Sequence, residues 1–305
     1  PLRSPSVLTW NLGDLFEGVV DAVGDRPAIV SDEVRLSFSQ VDERANQLAH
    51  VLADAGVGPG DHVGLVLRNS HQYLEAMLAA FKLRAVPVNV NIRYTPDEVA
   101  YLLASSSPPV VICEADRTDR VHAALDPTRA TPTILVRGEH YEAALAAAAP
   151  ERPEVERSGD DLYLLYTGGT TGLPKGVLWR HEDLLFAALG GGNPGGDPVS
   201  TPDEVVANAR TGRTRCLPAS PFTHGTAHWT ALSTLLRGGT VIIDVHPTFE
   251  AERLWDLAAR ERADILVIVG DAFARPLADA LQPDPDRWDL SDLLVILSGG
   301  AVLSP

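Results

Sequence analysis

Short apolar runs alternate with amphipathic helical segments along the whole 305-residue chain. The apolar runs, such as Val110–Cys113 and Thr133–Val136, are rich in Val, Ile and Leu. Residues 71–83 and 226–236, by contrast, repeat apolar side chains at helical spacing. Strands of this composition are typical of parallel sheets that helices cover on both faces. The alternation therefore predicts an α/β fold with largely parallel sheets.

A hairpin and a capped helix are predicted near the start of the chain. Residues 28–30 and 34–38 are apolar runs separated by a short polar turn, which favours a β-hairpin. Ser39 follows this hairpin, and a serine hydroxyl can accept from the first free amides of a helix. We therefore expect Ser39 to cap a helix that runs to Ala55.

A polar segment with two prolines, residues 150–159, is the best candidate for a linker. It suggests one α/β subdomain over residues 1–155 and a second, with the phosphate loop, over residues 156–305. Residues 190–202 are rich in Gly and Pro and are expected to be mobile. The chain stops just after a predicted strand-to-loop turn, so we expect a truncated fold and an N-terminal fragment of a longer protein.

The formal net charge of −16 makes a nucleic-acid partner improbable, because such partners require basic surface. No stretch reaches the roughly 18 apolar residues of a membrane-spanning helix. Residues 1–5 lack the layout of a signal peptide. Cys113 and Cys216 lie in apolar runs, so we expect buried free thiols and a reducing, cytoplasmic location.

The most specific chemical signal is the run of glycines, hydroxyls and one lysine in residues 167–176, after the apolar run at residues 163–166. Glycines let successive backbone amides approach one anion, and a lysine adds a mobile positive charge. The spacing differs from a Walker A motif because Leu173 and Pro174 separate Gly172 from Lys175. The sequence predicts a phosphate-binding loop. Its candidate ligands are Thr167, Gly168, Gly169, Thr170, Thr171, Gly172 and Lys175.

The run Y-T-G-G-T-T-G-L-P-K-G resembles the phosphate-loop signature of the adenylate-forming superfamily, usually Y-T-S-G-T-T-G-x-P-K-G. With W-R-H-E-D after it, the segment is most similar to bacterial fatty-acid and steroid-side-chain acyl-CoA synthetases. Gly168 stands where serine is usual, and we interpret it as a subfamily variant. The resemblance implies two stacked, largely parallel sheets in a five-layered αβαβα arrangement, here truncated.

The resemblance also implies a two-step reaction. A hydrophobic carboxylic acid, fatty or steroid, would attack the α-phosphate of MgATP, and coenzyme A would then displace AMP. Lys175 and Thr171 would steady the phosphates as catalytic residues. Two alternatives stay open: transfer of the acyl group to a carrier protein, and a nucleotide-binding module without catalysis. We expect the fragment alone to be inactive, with a homodimer as a further possibility.

His224 and His228 stand one helical turn apart, a spacing that could serve a metal. The glutamate of H-E-x-x-H is missing and no third ligand is nearby, so we predict no metal site. His228 is interpreted as a hydrogen-bonded histidine on an apolar helix. His224 precedes Gly225 after a proline-bounded loop, as in the resembling family, where this position borders the acyl pocket. His224 is therefore a candidate catalytic and pocket residue.

The acyl and adenine sites are predicted from three further segments. Residues 220–237 contain no Asp or Glu, so a substrate ammonium would stay unpaired, which favours an acid without an α-amino group. Trp229 fits an apolar acyl site, although helix packing explains it equally well. The resemblance implies an acyl channel at the strand end formed by Gly270 and Asp271, where the alternative is a plain turn at Gly270. It implies an adenine site formed by Ser298, Gly299, Gly300 and Ala301, where the alternative is an ordinary turn.

Overall fold

The computed structural model of the chain describes residues 8–32, 34–169 and 172–304. The helices are α1 (Leu12–Val23), α2 (Phe38–Asp54), α3 (His71–Lys82), α4 (Pro96–Ser106), α5 (Thr118–Ala123), α6 (Glu139–Ala147), α7 (His181–Ala188), α8 (Pro202–Ala209), α9 (Gly225–Leu236), α10 (Ala251–Arg260) and α11 (Asp271–Leu281). The strands are β1 (Pro27–Val30), β2 (Arg35–Ser37), β3 (His62–Val66), β4 (Val86–Asn89), β5 (Val110–Cys113), β6 (Thr133–Val136), β7 (Leu162–Gly169), β8 (Gly172–Arg180), β9 (Arg215–Pro218), β10 (Thr240–Ile242), β11 (Ile265–Ile268) and β12 (Val295–Ser298). None of the described helices is long and apolar enough to span a bilayer.

The strands form two sheets of six. The first sheet has the order β12-β11-β9-β10-β1-β2, and the second has the order β6-β5-β3-β4-β7-β8. Neighbouring strands are parallel except in the hairpins β1–β2 and β7–β8, which lie at one edge of each sheet. The prediction of two largely parallel sheets and of a hairpin near the start of the chain is confirmed.

Three apolar clusters define the order of the layers. The largest fills the space between the sheets and includes side chains of α1, α2, α3 and α9. The second covers the other face of the second sheet with α4 and α5, and the third covers the other face of the first sheet with α10 and α11. Along β5, Val110 and Ile112 join the central cluster while Val111 and Cys113 join the outer one, since successive side chains alternate across a strand. The layers therefore run αβαβα, as predicted.

The start of α2 differs from the prediction. The cap is Ser37, whose hydroxyl accepts from the Gln40 amide at 3.2 Å while the Gln40 side chain accepts from the Ser37 amide at 2.9 Å. Phe38 begins the helix and is fully buried. The prediction that Ser39 caps this helix is wrong because Phe38 was assigned to the preceding strand, whereas this reciprocal capping box fixes the start at Phe38.

The sequence prediction missed α8. The glycine-rich segment turns back through Gly190, Gly191 and Gly192, all with positive φ, and ends where Pro202 begins the helix. Pro fits the first helical position because its missing N–H has no helical partner there. The mobility expected for residues 190–202 stays a prediction.

Each sheet takes strands from both sides of the predicted boundary between residues 155 and 156, because β1–β2 joins the first sheet and β7–β8 the second. The segment between α6 and β7 has no helix or strand, yet its side chains contact the central helices. Arg152 pairs with Asp42 at 2.9 Å, and Arg157 pairs with Glu17 at 2.8 Å. The division into two subdomains remains a prediction.

Both cysteines are buried free thiols, as predicted. Burial raises the pKa of Cys113 to about 11 and that of Cys216 to about 12. A thiol of such high pKa carries little thiolate at neutral pH, so these cysteines are packing residues without nucleophilic character.

Candidate active site

The predicted phosphate loop is the end of the β7–β8 hairpin, so the prediction that residues 167–176 form a single loop is wrong for its described residues, which pair as strands. Thr167 lies opposite Lys175 in the antiparallel register, and Gly169 lies opposite Gly172, with an irregularity between the two pairs. Strand pairing holds these backbone groups in place. The segment was predicted as a loop because glycine has a low strand propensity. Thr170 and Thr171 lie outside the described residues.

The Lys175 side chain is exposed on β8. Within the described residues no carboxylate forms an ion pair with it, whereas the other lysine, Lys82, is fully buried between two carboxylates. The Thr167 hydroxyl donates to the Lys175 carbonyl oxygen at 3.4 Å, which links the two strands beside the lysine. The hairpin thus presents a lysine whose ammonium is available to an anion.

The loop before His224 is held at several successive backbone groups. Asn69 donates to the Ser220 carbonyl oxygen at 3.0 Å and accepts from the Phe222 amide at 2.7 Å. The Thr223 carbonyl oxygen accepts from Asn89 at 2.7 Å. His224 then lies at the N-terminal end of α9. Polar side chains at the carboxyl ends of the second sheet therefore fix the position of His224.

His228 lies one turn into α9 and is buried. Its Nδ1 donates to the Phe222 carbonyl oxygen at 2.7 Å, so its Nε2 accepts from the Tyr163 hydroxyl. Trp229 donates from Nε1 to the same hydroxyl at 2.9 Å. Burial lowers the pKa of His228 to about 4, which keeps the ring neutral. The prediction of a hydrogen-bonded histidine is confirmed, and Trp229 packs at the base of the hairpin strand.

Asn89 ends β4 and joins the hairpin to the His224 loop. Its Oδ1 accepts from the Tyr166 amide at 2.9 Å, and its Nδ2 donates to the carbonyl oxygens of Tyr166 at 3.1 Å and Thr223 at 2.7 Å. Asn89 is 7% exposed, so water contributes little to satisfying these groups. A single side chain therefore bridges the β7–β8 hairpin and the loop that carries His224.

The predicted adenine segment packs against the start of α9. A Cβ on Gly299 would lie 3.2 Å from Thr226 Cγ2, and one on Gly300 would lie 3.6 Å from Thr226 Oγ1. A Cβ on Gly225 would lie 3.0 Å from the Trp229 ring and 3.1 Å from Leu165 Cδ2. The N-terminal end of α9 is thus where the hairpin strand, the His224 loop and the Ser298–Ala301 segment meet.

Gly270 and Asp271 lie beside the same segment. The Gly270 amide donates to the Ser298 hydroxyl at 3.0 Å, and a Cβ on Gly270 would lie 2.8 Å from Ala301 Cβ. The Asp271 carboxylate accepts from the Ser304 amide at 2.8 Å and pairs with Arg275 at 3.0 Å. Gly270 has a φ of +57°, which glycine adopts without strain. Because it lacks a Cβ, it also permits this close approach. The carboxylate of Asp271 is occupied by the following chain segment.

His224 faces a cleft of about 130 Å³ between the carboxyl ends of the two sheets. The cleft is lined by three positively charged or titratable side chains besides His224, namely Arg68, Arg93 and His246. Among the described residues, one carboxylate lines the cleft, that of Asp244. Loss of hydration, and then the charge of Arg93, lower the pKa of His224. Arg68 is paired with Asp116 and Glu114, and Asp244 is paired with Arg253. Arg93 therefore supplies the positive charge that this cleft offers to an anion or a carboxylate.

Metal binding has no protein cluster to support it within residues 8–32, 34–169 and 172–304. No group of three His, Cys, Asp or Glu side chains converges there.

This fold and this site define the class of the protein. The chain belongs to the AMP-binding enzyme family, which it matches over residues 16–305. The prediction of an adenylate-forming relative is confirmed.

Named relatives give the likeness in more detail. The 3-oxocholest-4-en-26-oate–CoA ligase of Rhodococcus rhodochrous is 40% identical, covering 98% of this chain and 57% of the relative. The medium/long-chain-fatty-acid–CoA/3-oxocholest-4-en-26-oate–CoA ligase of Mycobacterium marinum is 38% identical, covering 97% and 56%. The N-terminal domain of FACL13 from Mycobacterium tuberculosis has TM-score 0.81 and 29% identity, covering 96% of this chain and 71% of that structure. The chain thus spans little more than half the length of these two ligases.

Sequence patterns missed Asn69, Asn89 and Arg93. A signal was available, because Asn69 follows the apolar run of β3 and Asn89 lies at the end of that of β4. Carboxyl ends of parallel strands share one edge of a sheet, where ligands bind in α/β folds. Which backbone groups these asparagines reach depends on the other sheet and could not be inferred from spacing.

Proposed function

We propose that the protein activates a hydrophobic carboxylic acid with ATP, forming acyl-AMP, and passes the acyl group to coenzyme A. The observation that carries the proposal is the meeting of three elements at the start of α9: the hairpin with the exposed Lys175, the His224 loop, and the Ser298–Ala301 segment. An adenylating enzyme must hold a triphosphate, an adenine and a carboxylate within reach of one another. The relatives named as CoA ligases support the same chemistry.

The hairpin would hold the triphosphate. Lys175 and the hairpin amides offer positive charge to the β- and γ-phosphates, where charge accumulates as pyrophosphate leaves. Thr167, Gly168, Gly169 and Gly172 belong to the same hairpin, and Thr170 and Thr171 complete its sequence. The Ser298–Ala301 segment would flank the adenine. Mg²⁺ would arrive on the phosphate oxygens of ATP.

The acid would lie near His224 and Gly225. A neutral His224 ring can donate a hydrogen bond to a carboxylate, and Arg93 beside it adds a positive charge. Gly225, Trp229 and Gly270 supply the surrounding apolar surface, with Asp271 at its rim. No acidic side chain occurs in residues 220–237 to pair with an ammonium group, so we propose an acid without an α-amino group. The names of the relatives favour fatty or steroid acids.

The acyl acceptor is proposed to be coenzyme A. Coenzyme A is the acceptor in the names of the relatives, and a carrier protein is the alternative. We propose a cytoplasmic enzyme whose small-molecule partners are the acid, ATP and coenzyme A, with a homodimer as its assembly.

Product analysis tests the proposal. The full-length protein is incubated with ATP, Mg²⁺, coenzyme A and one acid from a panel of fatty, aromatic and steroid acids, and thioesters are detected by mass spectrometry. We expect acyl-CoA and AMP with the fatty or steroid acids. Acyl-AMP that accumulates and is not converted to acyl-CoA would favour a carrier acceptor, and nucleotide binding without any product would favour a binding module.

A further inference from the structure

We propose that Asn89 is a positioning residue that couples the phosphate hairpin to His224. The inference rests on the proposed function, because it concerns how the triphosphate site and the acid site are aligned. Asn89 forms three hydrogen bonds of 2.7–3.1 Å, two with the backbone of Tyr166 and one with that of Thr223.

Asn89 connects two parts of the chain, the β7–β8 hairpin and the His224 loop. Tyr166 belongs to β7, one residue before Thr167 on the phosphate hairpin, and Thr223 directly precedes His224. A displacement of the hairpin by a bound polyphosphate therefore moves the two hydrogen-bonding groups of Tyr166. The amide of Asn89 is planar and its Nδ2 serves both carbonyl oxygens, so the displacement is passed to Thr223 and thus to His224.

Asparagine is required here because the link needs both a donor and an acceptor. A carboxylate at residue 89 would still accept from the Tyr166 amide but could not donate to either carbonyl oxygen. Buried carbonyl oxygens that lose their donor carry a desolvation cost, and the loop would separate from the hairpin.

Asn69 provides a matched control within the same loop. It also donates to one backbone carbonyl and accepts from one backbone amide, those of Ser220 and Phe222. Both of its partners belong to the His224 loop and neither belongs to the hairpin. Asn69→Asp therefore disturbs the loop by the same chemical change and leaves the link to Tyr166 intact.

Histidine NMR with tripolyphosphate as the probe tests the coupling. Tripolyphosphate lacks a base whose ring current would alter nearby signals, and at pH 8 His224 is neutral because its pKa is lowered. The His224 ring signal is assigned with His224→Gln. We expect tripolyphosphate to shift this signal in the unsubstituted chain and in Asn69→Asp, and the shift to be lost in Asn89→Asp although the probe still binds.

Each outcome separates the two proposals. A shift in Asn89→Asp equal to that in the unsubstituted chain overturns the coupling, and so does a loss in Asn69→Asp equal to that in Asn89→Asp. If neither tripolyphosphate nor ATP binds the unsubstituted chain, the proposed function fails and the coupling falls with it. Should Asn89→Asp fail to fold, Asn89→Ser is compared in its place, since the shorter serine reaches at most one of Tyr166 and Thr223.

Discussion

Thr167 and Lys175 face each other across the β7–β8 hairpin, and the Thr167 hydroxyl donates to the Lys175 carbonyl oxygen at 3.4 Å. This pairing fixes the backbone beside the lysine while its side chain remains exposed. The ammonium is therefore positioned without being neutralised by a neighbouring carboxylate among the described residues.

Lys175→Ala should weaken ATP binding by about tenfold to a hundredfold, the loss expected for one charge-assisted hydrogen bond. The melting temperature should stay unchanged because the side chain is exposed. Lys175→Arg should recover part of the affinity, since it keeps the charge but differs in geometry. Isothermal titration calorimetry measures the affinities. Equal affinity in all three proteins would exclude Lys175 from the phosphate site.

Gly168→Ser should be tolerated. A Cβ at Gly168 would meet nothing within 4 Å, and glycine within a strand costs about 0.5–1 kcal/mol relative to alanine. Gly176→Ser is the contrasting variant, because its Cβ would lie 2.9 Å from Leu164 Cδ1. Chemical denaturation should show unchanged or higher stability for the first and lower stability for the second. The reverse order would mean that the hairpin register is different.

Removal of Lys82 should strongly destabilise the fold. Its ammonium is fully buried and lies 2.5 Å from Glu17 and 2.7 Å from Asp42. Lys82→Ala removes the ammonium between Glu17 and Asp42 and leaves each buried carboxylate only its arginine partner, which costs up to about 3–5 kcal/mol. The free energy of unfolding measures the effect, with Lys175→Ala as the exposed-lysine control. A loss below that of ordinary surface substitutions would contradict the buried network.

Acid should destabilise the protein through His228 before most carboxylates titrate. Burial lowers its pKa from 6.5 to about 4, so the unfolded chain binds a proton at a higher pH than the folded chain. Stability should therefore fall as the pH drops from 6.5 towards 4, by up to about 3 kcal/mol for this group. His228→Gln should reduce the slope of unfolding free energy against pH in this window. His181, whose pKa is also lowered to about 4 by burial, should keep part of it. An unchanged slope would show that His228 is not buried as a neutral ring.

His224→Gln should lower the rate of adenylation with little change in stability, because its side chain is exposed at the cleft. The rate should fall by about tenfold or more if His224 contacts the reacting carboxylate. His246→Gln is the control, since His246 lines the same cleft but hydrogen-bonds Thr248 within its own turn. Equal rate losses in the two variants would assign the effect to the charge of the cleft in general.

Local patterns were sufficient for most of the fold, while the phosphate-binding role of residues 167–176 stays a proposal. Strands such as Val110–Cys113 and Thr133–Val136 were predicted with their observed bounds because apolar runs of this length leave few alternatives. The hairpin was mistaken for a loop because glycines argue against strands locally, while the pairing of Thr167 with Lys175 is a cross-strand property. Asn89 was missed for a related reason: its partners Tyr166 and Thr223 are 77 and 134 residues away.

Carboxylate-dependent exchange of pyrophosphate into ATP tests the central claim most directly. The full-length protein and its Lys175→Ala variant are compared with fatty, aromatic and steroid acids. The account predicts exchange that requires a hydrophobic acid, needs no coenzyme A, and is strongly reduced in Lys175→Ala. Binding of ATP without exchange for any acid would contradict it.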